Sequence, residues 1–232
     1  MDFDVQNYAV VSIGSLDIWI TESLVVSWVI MAILVVFAIV VRIKLRSFKE
    51  IPAGFQNVIE AIIEAFDKFA VNSTGPKLSW IGGWFFTVFS FLMVANMSGL
   101  VVGVRPPTAD WPVPLALALV TFFLLQFVGL RYRGWDYVKS YFEPVFVFFP
   151  INVLGELSRP VALSFRLFGN VLGGMILLSL IYGLAPLALQ IVLPFALHIY
   201  FDIFAGALQA FIFTVLSLTY LGLASTHSSE NQ

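Results

Sequence analysis

Long apolar runs, separated by short polar or basic segments, dominate the chain. A helix needs about 20 apolar residues to cross the hydrocarbon core of a bilayer. Five runs reach that length, and none alternates between apolar and polar positions as the strands of a membrane barrel do. The pattern predicts an all-α, polytopic membrane protein, a single membrane domain over residues 1–232 with spans at 16–41, 80–104, 112–130, 150–182 and 186–223.

The last two runs are longer than a membrane span requires. They would extend roughly 50 and 57 Å as helices, whereas the hydrocarbon core is about 30 Å thick. We therefore expect a long C-terminal helical hairpin that tilts strongly or extends beyond the bilayer. No internal repeat is evident, so an inverted-repeat transporter gains no support.

Two further segments differ from the spans. In residues 51–71 the apolar side chains fall on one helical face, which predicts an amphipathic helix lying along the inner membrane surface. Packing of this helix on other subunits is the alternative. Residues 135–149 are aromatic but short, and we expect them to form a re-entrant or interfacial segment.

Basic residues indicate which side of the membrane each end of a span faces, because Lys and Arg collect on the cytoplasmic side. The first 41 residues contain neither, and a basic cluster then follows the first run: Arg42, Lys44, Arg46 and Lys49. The predicted outer side carries Arg105, and a later inner end carries Arg131, Arg133 and Lys139. With five crossings, the amino terminus is predicted to lie outside and the carboxyl terminus inside.

Composition agrees with a membrane protein and narrows its chemistry. Hydrophobic residues make up 60% and charged residues 11% of the chain, whereas a soluble domain carries about 25% charged residues. The net charge of −2 argues against nucleic acid as a partner. Cysteine is absent and only two histidines are present, which argues against thiolate or histidine metal sites. No G-x-x-x-x-G-K-[ST] motif occurs, so we expect no bound nucleotide, no cofactor and no catalytic site of the chain's own.

Arg166 is the most unusual residue of the predicted spans, because an ionisable group near mid-depth costs several kcal/mol and usually marks an ion or substrate path. Its helical neighbours at three and four residues are Ala162, Leu163, Gly169 and Asn170, so no acidic partner lies on the same helix. A partner must come from another helix, another chain or water. The structural alternative is an ion pair with a fixed carboxylate that serves packing.

Small residues lie near this arginine in the sequence, and a pair of oppositely charged residues precedes it. Gly169, Gly173 and Gly174 lie near the Arg166 face, where small residues let another helix approach closely. Glu156 and Arg159 are three residues apart and are expected to form a structural ion pair near the inner interface.

A polar stripe on the last run is the second candidate site. His198, Asp202 and Gln209 fall on one helical face at about 100° per residue, which favours a water-lined path over isolated buried polar groups. If the hairpin turns near residues 184–185, the chain returns to the level of Arg166 near residue 203. Asn96 on the second span is either a further polar group of the path or one half of a simple interhelical hydrogen bond.

Two motifs resemble those of subunit a of F-type ATP synthases. The segment 158–170, SRPVALSFRLFGN, resembles the family's signature, and 208–213, LQAFIF, is similar to its last helix. The resemblance implies a stationary ion-conducting subunit with two offset half-channels beside a rotating ring of c subunits. It also implies that Arg166 is the essential arginine, with Asn170 and Gln209 as motif partners, and that Asp202 and Asn96 occupy polar positions of the family.

The implied setting is an energy-coupling membrane, bacterial plasma membrane or plastid thylakoid, with c subunits, peripheral-stalk b subunits and other synthase subunits as partners. One position departs from the family, because Met175 stands where relatives often carry Glu or His. The outer path should therefore depend more on Asp202, with His198 beside it.

The transported ion is H⁺ or Na⁺. A stand-alone channel or secondary transporter, with Arg166 as an anion site, and a purely structural membrane anchor are the alternatives.

Overall fold

The computed structural model describes residues 7–13, 16–45, 54–101, 104–143, 145–184 and 186–226. Within these ranges the chain is mainly helical, and five segments are long and apolar enough to cross a membrane, which confirms the predicted fold class. The helices are α1 (Glu22–Leu45), α2 (Phe55–Thr74), α3 (Gly82–Met97), α4 (Pro112–Arg133), α5 (Trp135–Ser140), α6 (Phe149–Leu184), α7 (Leu187–His198) and α8 (Gly206–Ser225).

A short β-hairpin precedes the first span, so the prediction that residues 16–41 are helical throughout is wrong at its start. Strand β1 (Asn7–Ile13) pairs antiparallel with β2 (Leu16–Thr21). The second strand ends in Ile18, Trp19, Ile20 and Thr21, and β-branched and aromatic residues favour extended structure. The helix begins only at Glu22, where the Thr21 hydroxyl accepts a hydrogen bond from the Leu24 amide at 3.4 Å, as a helix N-cap does.

The second span is displaced from its predicted position of 80–104. It covers Pro76–Leu100, a 3-10 turn (Pro76–Ile81) followed by α3 and a further turn (Ser98–Leu100). Gly75 ends α2 with a φ of 83°, a backbone conformation that glycine adopts readily. Residues 102–103 of the predicted span lie outside the described residues. The third span continues past the predicted end at residue 130 to Arg133.

The predicted amphipathic segment 51–71 corresponds to α2, and residues 51–53 lie outside the described residues. The carboxyl-terminal half of α2 packs within the protein, where the Phe66 ring lies 5.3 Å from that of Phe86 and Ala70 is fully buried. The amino-terminal half leaves Val58 and Ile62 exposed. Its position at the inner membrane surface remains a prediction.

The aromatic segment predicted at 135–149 contains α5 and a 3-10 turn (Phe146–Phe148) that leads into α6. A six-residue helix extends only about 9 Å, so α5 is too short to enter and leave the membrane as a re-entrant helix. The rings of Phe142 and Phe149 stack at 4.6 Å. The described part of this segment favours the interfacial alternative, and residue 144 lies outside it.

The long C-terminal hairpin is present, but its second arm is not a regular α-helix. Helix α6 runs for 36 residues. Its return arm consists of α7, a π-helical segment (Ile199–Ala205) and α8. π-Helical turns are rare and occur often at functional sites. Residue 185, in the connection predicted between the spans at 150–182 and 186–223, lies outside the described residues.

The chain folds into two compact units. The first comprises Met1–Val36, Ser90–Ala116 and Leu163–Phe211. Its buried residues include Leu92, Leu167 and Ala210. The second comprises Phe37–Phe89, Leu117–Ala162 and Ile212–Gln232, and it contains a contiguous apolar core: Ala70, Leu78, Ile81, Phe85, Leu125, Val128, Tyr137, Leu218, Leu221 and Ala224. The predicted site residues other than Glu156 and Arg159 all belong to the first unit.

Candidate functional site

Arg166 points outward because the opposite face of α6 is packed inside the first unit. Leu163, Ser164 and Leu167 are at most 5% exposed, whereas Arg166 is exposed. Trp111 holds this stretch, since its ring stacks on Phe165 at 5.3 Å and its indole nitrogen donates to the Ser164 hydroxyl at 3.4 Å. The backbone under the arginine is therefore fixed, while its guanidinium pairs with no carboxylate among the described residues.

The face of α6 that carries Arg166 is open. A methyl group added at Gly169 or Gly173 would meet no atom within 4 Å. Asn170 is exposed on the same face. Gly174 differs from its neighbours, because a Cβ atom there would lie 2.9 Å from the Phe201 ring. The three predicted glycines thus divide into two that leave room outside the chain and one that packs within it.

Asn170 and Gln209 join α6 to α8, one helical turn from Arg166. The Asn170 amide nitrogen donates to Gln209 Oε1 at 2.8 Å. Gln209 is 3% exposed, and its own Nε2 has no acceptor among the described residues. A buried amide donor without a partner is costly. Gln209 therefore keeps an unused, buried donor next to its hydrogen bond with Asn170.

His198 and Asp202 form a pair at the start of the π-helical segment. His198 Nδ1 and Asp202 Oδ2 are 2.6 Å apart, and the aspartate side chain is 14% exposed. Asp202 also lies against Gly99, where an added Cβ would be 3.2 Å from Oδ1. The sequence did not single out Gly99, because a small residue is needed there only through its contacts in the folded chain, with Pro106 Cγ at 3.0 Å from the added Cβ and with Asp202.

Asn96 is enclosed in hydrogen bonds within the protein. Its amide nitrogen donates to the Gly206 carbonyl at 2.9 Å, and its amide oxygen accepts from the Thr108 hydroxyl at 2.8 Å. The residue is 2% exposed. Of the two alternatives for Asn96, this geometry favours the interhelical hydrogen bond. Thr108, which sequence reasoning missed, completes the link between α3 and the end of the π-helical segment.

Two contacts show how α6 and the returning arm pair in depth: Asn170 with Gln209, and Gly174 with Phe201. Asp202 therefore lies near the level of Gly174, two helical turns or roughly 12 Å along α6 from Arg166. The expectation that residue 203 lies opposite Arg166 is wrong. That expectation assumed a tight turn and a regular helix. In the structure, residues of the returning arm that pair with α6 have higher residue numbers than this assumption gives, and the arm contains a π-helical segment.

Glu156 and Arg159 lie in the second unit and contact each other. Arg159 Nη1 is 2.8 Å from Glu156 Oε1, and the guanidinium lies 4.8 Å from the centroid of the Tyr220 ring. The pair is half-buried. Among the described residues, no three His, Asp or Glu side chains come together as a possible metal site.

Comparison with known proteins identifies the family of the chain. The family model described as ATP synthase A chain matches residues 24–222. The chain is 34% identical to ATP synthase subunit a of Desulfosudis oleivorans, over 88% of each chain. It is 37% identical to ATP synthase subunit a 2 of a Bradyrhizobium species, over 88% of this chain and 89% of the relative. It is 36% identical to ATP synthase subunit a of Chlorobium phaeobacteroides, over 94% of this chain and 68% of the relative. The chain therefore belongs to the ATP synthase A chain family.

Proposed function

We propose that Arg166, Asp202 and Gln209 carry the ion-transfer chemistry of this chain, which is the stationary ion-conducting subunit of an F-type ATP synthase. Membership of this family excludes the stand-alone transporter and the purely structural anchor. The chain has no nucleotide-hydrolysing role of its own, and it serves the complex by coupling ion flow to ATP synthesis. His198, Asn170 and Asn96 support the three proposed residues.

The observation that carries the proposal is the exposed, unpaired Arg166 on the open face of α6. An arginine remains protonated in proteins, so it keeps a fixed positive charge at this point. A carboxyl group that arrives beside it has its pKa lowered and releases its ion. The same charge repels a cation that would otherwise pass straight from one side to the other.

We propose that the carboxylate comes from another chain, since no described carboxylate pairs with Arg166. We propose that it belongs to the ring of c subunits, which passes the open face of α6. Gly169 and Gly173 allow a partner helix to approach the backbone closely. We also propose that Gln209, whose buried Nε2 has no acceptor among the described residues, donates a hydrogen bond to the arriving group. The peripheral-stalk b subunits are further proposed partners.

Access from the outer side is proposed to run through the His198–Asp202 pair. These two groups are 2.6 Å apart and partly exposed in the chain by itself, which supports their role in the access path. Asp202 lies about two turns from Arg166, which separates ion entry from ion release along the hairpin. Met175 at the same level cannot titrate. The arrangement suits H⁺, with Na⁺ as the alternative ion.

The chain is a membrane subunit. Its curated relatives quoted above are bacterial, which supports a plasma-membrane location. We propose that the amino terminus lies outside and the carboxyl terminus inside. Two helix ends assigned to the inner side are basic: α1 ends in Arg42 and Lys44, and α4 ends in Arg131 and Arg133.

Arg166→Ala in the assembled complex tests the proposal. We expect ATP-driven acidification of membrane vesicles, or Na⁺ uptake, to be lost, and a passive ion leak to appear as the fixed charge is removed. Arg166→Lys should also be severely impaired, because lysine is a compact donor whose pKa falls readily on burial. Arg131→Ala, which removes an exposed cation from the end of α4, is the matched control. Near-normal pumping by a fully assembled Arg166→Ala complex would overturn the mechanism.

A further inference from the structure

A cavity in the second unit has no part in the proposed ion path. It has a volume of about 500 Å³ and is lined by residues of α4, α5, α6 and α8, a size within the range of small-ligand sites. Its polar lining includes Arg133, Tyr137, Tyr141, Asn152, Glu156 and Arg159. The cavity lies where α4 ends in basic residues, at the membrane side proposed to be internal.

The charged groups of the cavity leave one positive charge uncompensated. Arg159 and Glu156 neutralise each other at 2.8 Å. Arg133 Nε is buried and has no acceptor among the described residues. A buried charged donor without an acceptor is costly, so this site favours a singly charged anion. Burial raises the pKa of the Tyr137 hydroxyl, which therefore stays neutral and adds no negative charge.

Hydrogen bonds hold the wall beneath Arg133 in place. Its guanidinium lies 5.7 Å from the centroid of the Tyr137 ring. The hydroxyls of Tyr137 and Tyr141 both donate to Gln126 Oε1, at 3.1 and 3.0 Å. The Asn152 side chain donates to the Tyr141 carbonyl at 2.9 Å. A site whose side chains are already held loses little conformational entropy when a ligand binds.

The rim of the cavity is apolar and exposed. Ile151 lines the cavity and is itself 61% exposed. Phe146, Val147 and Leu154 nearby in sequence are at least 66% exposed. A cationic cavity beside an exposed apolar surface matches an amphiphile, with an anionic head and hydrocarbon chains, better than it matches a small hydrophilic ion.

We propose that this cavity binds the phosphodiester headgroup of an anionic phospholipid, with Arg133 as its principal donor and the acyl chains against Phe146, Val147, Ile151 and Leu154. The headgroup supplies the single negative charge and the oxygen acceptors that Arg133 lacks within the protein. The proposal does not rest on the ion path, and lipid retention can be measured whether or not the complex pumps ions.

The test measures which lipids the detergent-purified, assembled complex retains. The complex is offered phosphatidylglycerol, phosphatidylcholine or inorganic phosphate, and bound lipid is quantified by native mass spectrometry. Wild type should retain phosphatidylglycerol preferentially, and Arg133→Gln should weaken that retention about tenfold or more, as expected for loss of a charge-assisted hydrogen bond. Arg131→Gln is the matched control. It removes an exposed arginine from the same last turn of α4 and should change retention less than about twofold.

A second variant keeps the charge and fills the space. Gly155 lines the cavity, and a Cβ atom there would meet nothing within 4 Å, so Gly155→Leu should occupy the cavity without disturbing the fold. It should also lose phosphatidylglycerol. Equal retention of phosphatidylcholine would overturn the proposal, and so would equal loss in Arg131→Gln and Arg133→Gln. Displacement of the lipid by millimolar phosphate would overturn it too, because it would assign the site to a free anion. Retention by both Arg133→Gln and Gly155→Leu would also overturn it.

Discussion

At the scale of single residues, Arg166 combines a high free-energy cost of membrane insertion with a backbone that is held in a fixed position. Insertion scales assign a charged side chain at the centre of a membrane helix about 3 kcal/mol. Nothing described within the chain offsets this cost with a counter-charge. The Trp111–Phe165 stack nevertheless holds the backbone at this point, so the charge is presented to the outside rather than withdrawn. This is the arrangement expected of a group that acts on a visiting partner.

Asp202→Asn should slow both ion-driven ATP synthesis and ATP-driven pumping by about tenfold or more, because the amide can no longer take up and release a proton. Assembly should be unaffected, since the new side chain keeps the shape that fits against Gly99. The rates are measured in vesicles, with subunit content checked by blotting. Asp136→Asn, at an exposed ion pair of α5, is the control.

An unchanged rate in Asp202→Asn would place the outer access path elsewhere. Adding Met175→Glu to that variant should restore part of the ion flow. Met175 follows Gly174, which lies at the level of Asp202, so the new carboxylate would occupy the same depth of the hairpin.

At the scale of secondary-structure elements, α6 has two faces with opposite roles in the first unit. Leu163, Ser164 and Leu167 are buried within the chain. On the other side Arg166 is exposed, and a Cβ atom at Gly169 or Gly173 would have no described atom within 4 Å. The sequence predicted this combination of an arginine with glycines, but it could not separate Gly173 from Gly174. That distinction depends on Phe201 packing against only one of them.

Gly173→Leu should therefore reduce pumping by at least tenfold while leaving the helix content of the chain unchanged. A leucine adds four carbons to a face that a partner helix is proposed to approach closely. Gly183→Leu, at an equally open position near the end of α6, is the matched control. Equal pumping by the two variants would show that no partner passes close to Gly173.

Asn96 donates a hydrogen bond to Gly206 at the start of α8, directly after the π-helical segment, which gives a prediction for Asn96. Asn96→Leu removes the bonds to Gly206 and Thr108 and should destabilise the detergent-solubilised chain by about 1–3 kcal/mol. Thr108→Val removes one of the two bonds and should cost less. Thermal unfolding of the three proteins provides the measurement. A loss of pumping by Asn96→Leu with unchanged stability would instead assign Asn96 to the ion path.

At the scale of the whole molecule, periodicity and length predicted the spans because a membrane imposes one strong constraint on every helix. Features that depend on contacts distant in sequence were missed. Gly99 must be small because Pro106 and Asp202 pack against it, and Thr108 has its role through its hydrogen bond to Asn96. The β-hairpin before Glu22 was missed for a different reason: its apolar residues extend the hydropathy of the first span, and the Thr21 cap is a weak signal.

Orientation is a further property of the whole molecule. A reporter at the amino terminus should map outside the membrane, and a reporter after Ser225 should map inside. Gly134, in the turn between α4 and α5, provides an internal control that should also map inside. Two termini on the same side would contradict a count of five crossings, whatever the role of Arg166.

The open glycine face also has a mechanical consequence. Helices that interlock large side chains resist sliding, because every knob must leave its hole before the next position is reached. Gly169 and Gly173 present bare backbone instead, so a neighbouring helix can stay close while meeting a smooth surface with a shallow energy profile. Arg166 lies on the same face, where it would hold a partner through charge rather than through shape. A partner helix could therefore slide along this face with little steric resistance and be held mainly by its attraction to Arg166. A leucine at position 173 would add a steric barrier to that sliding.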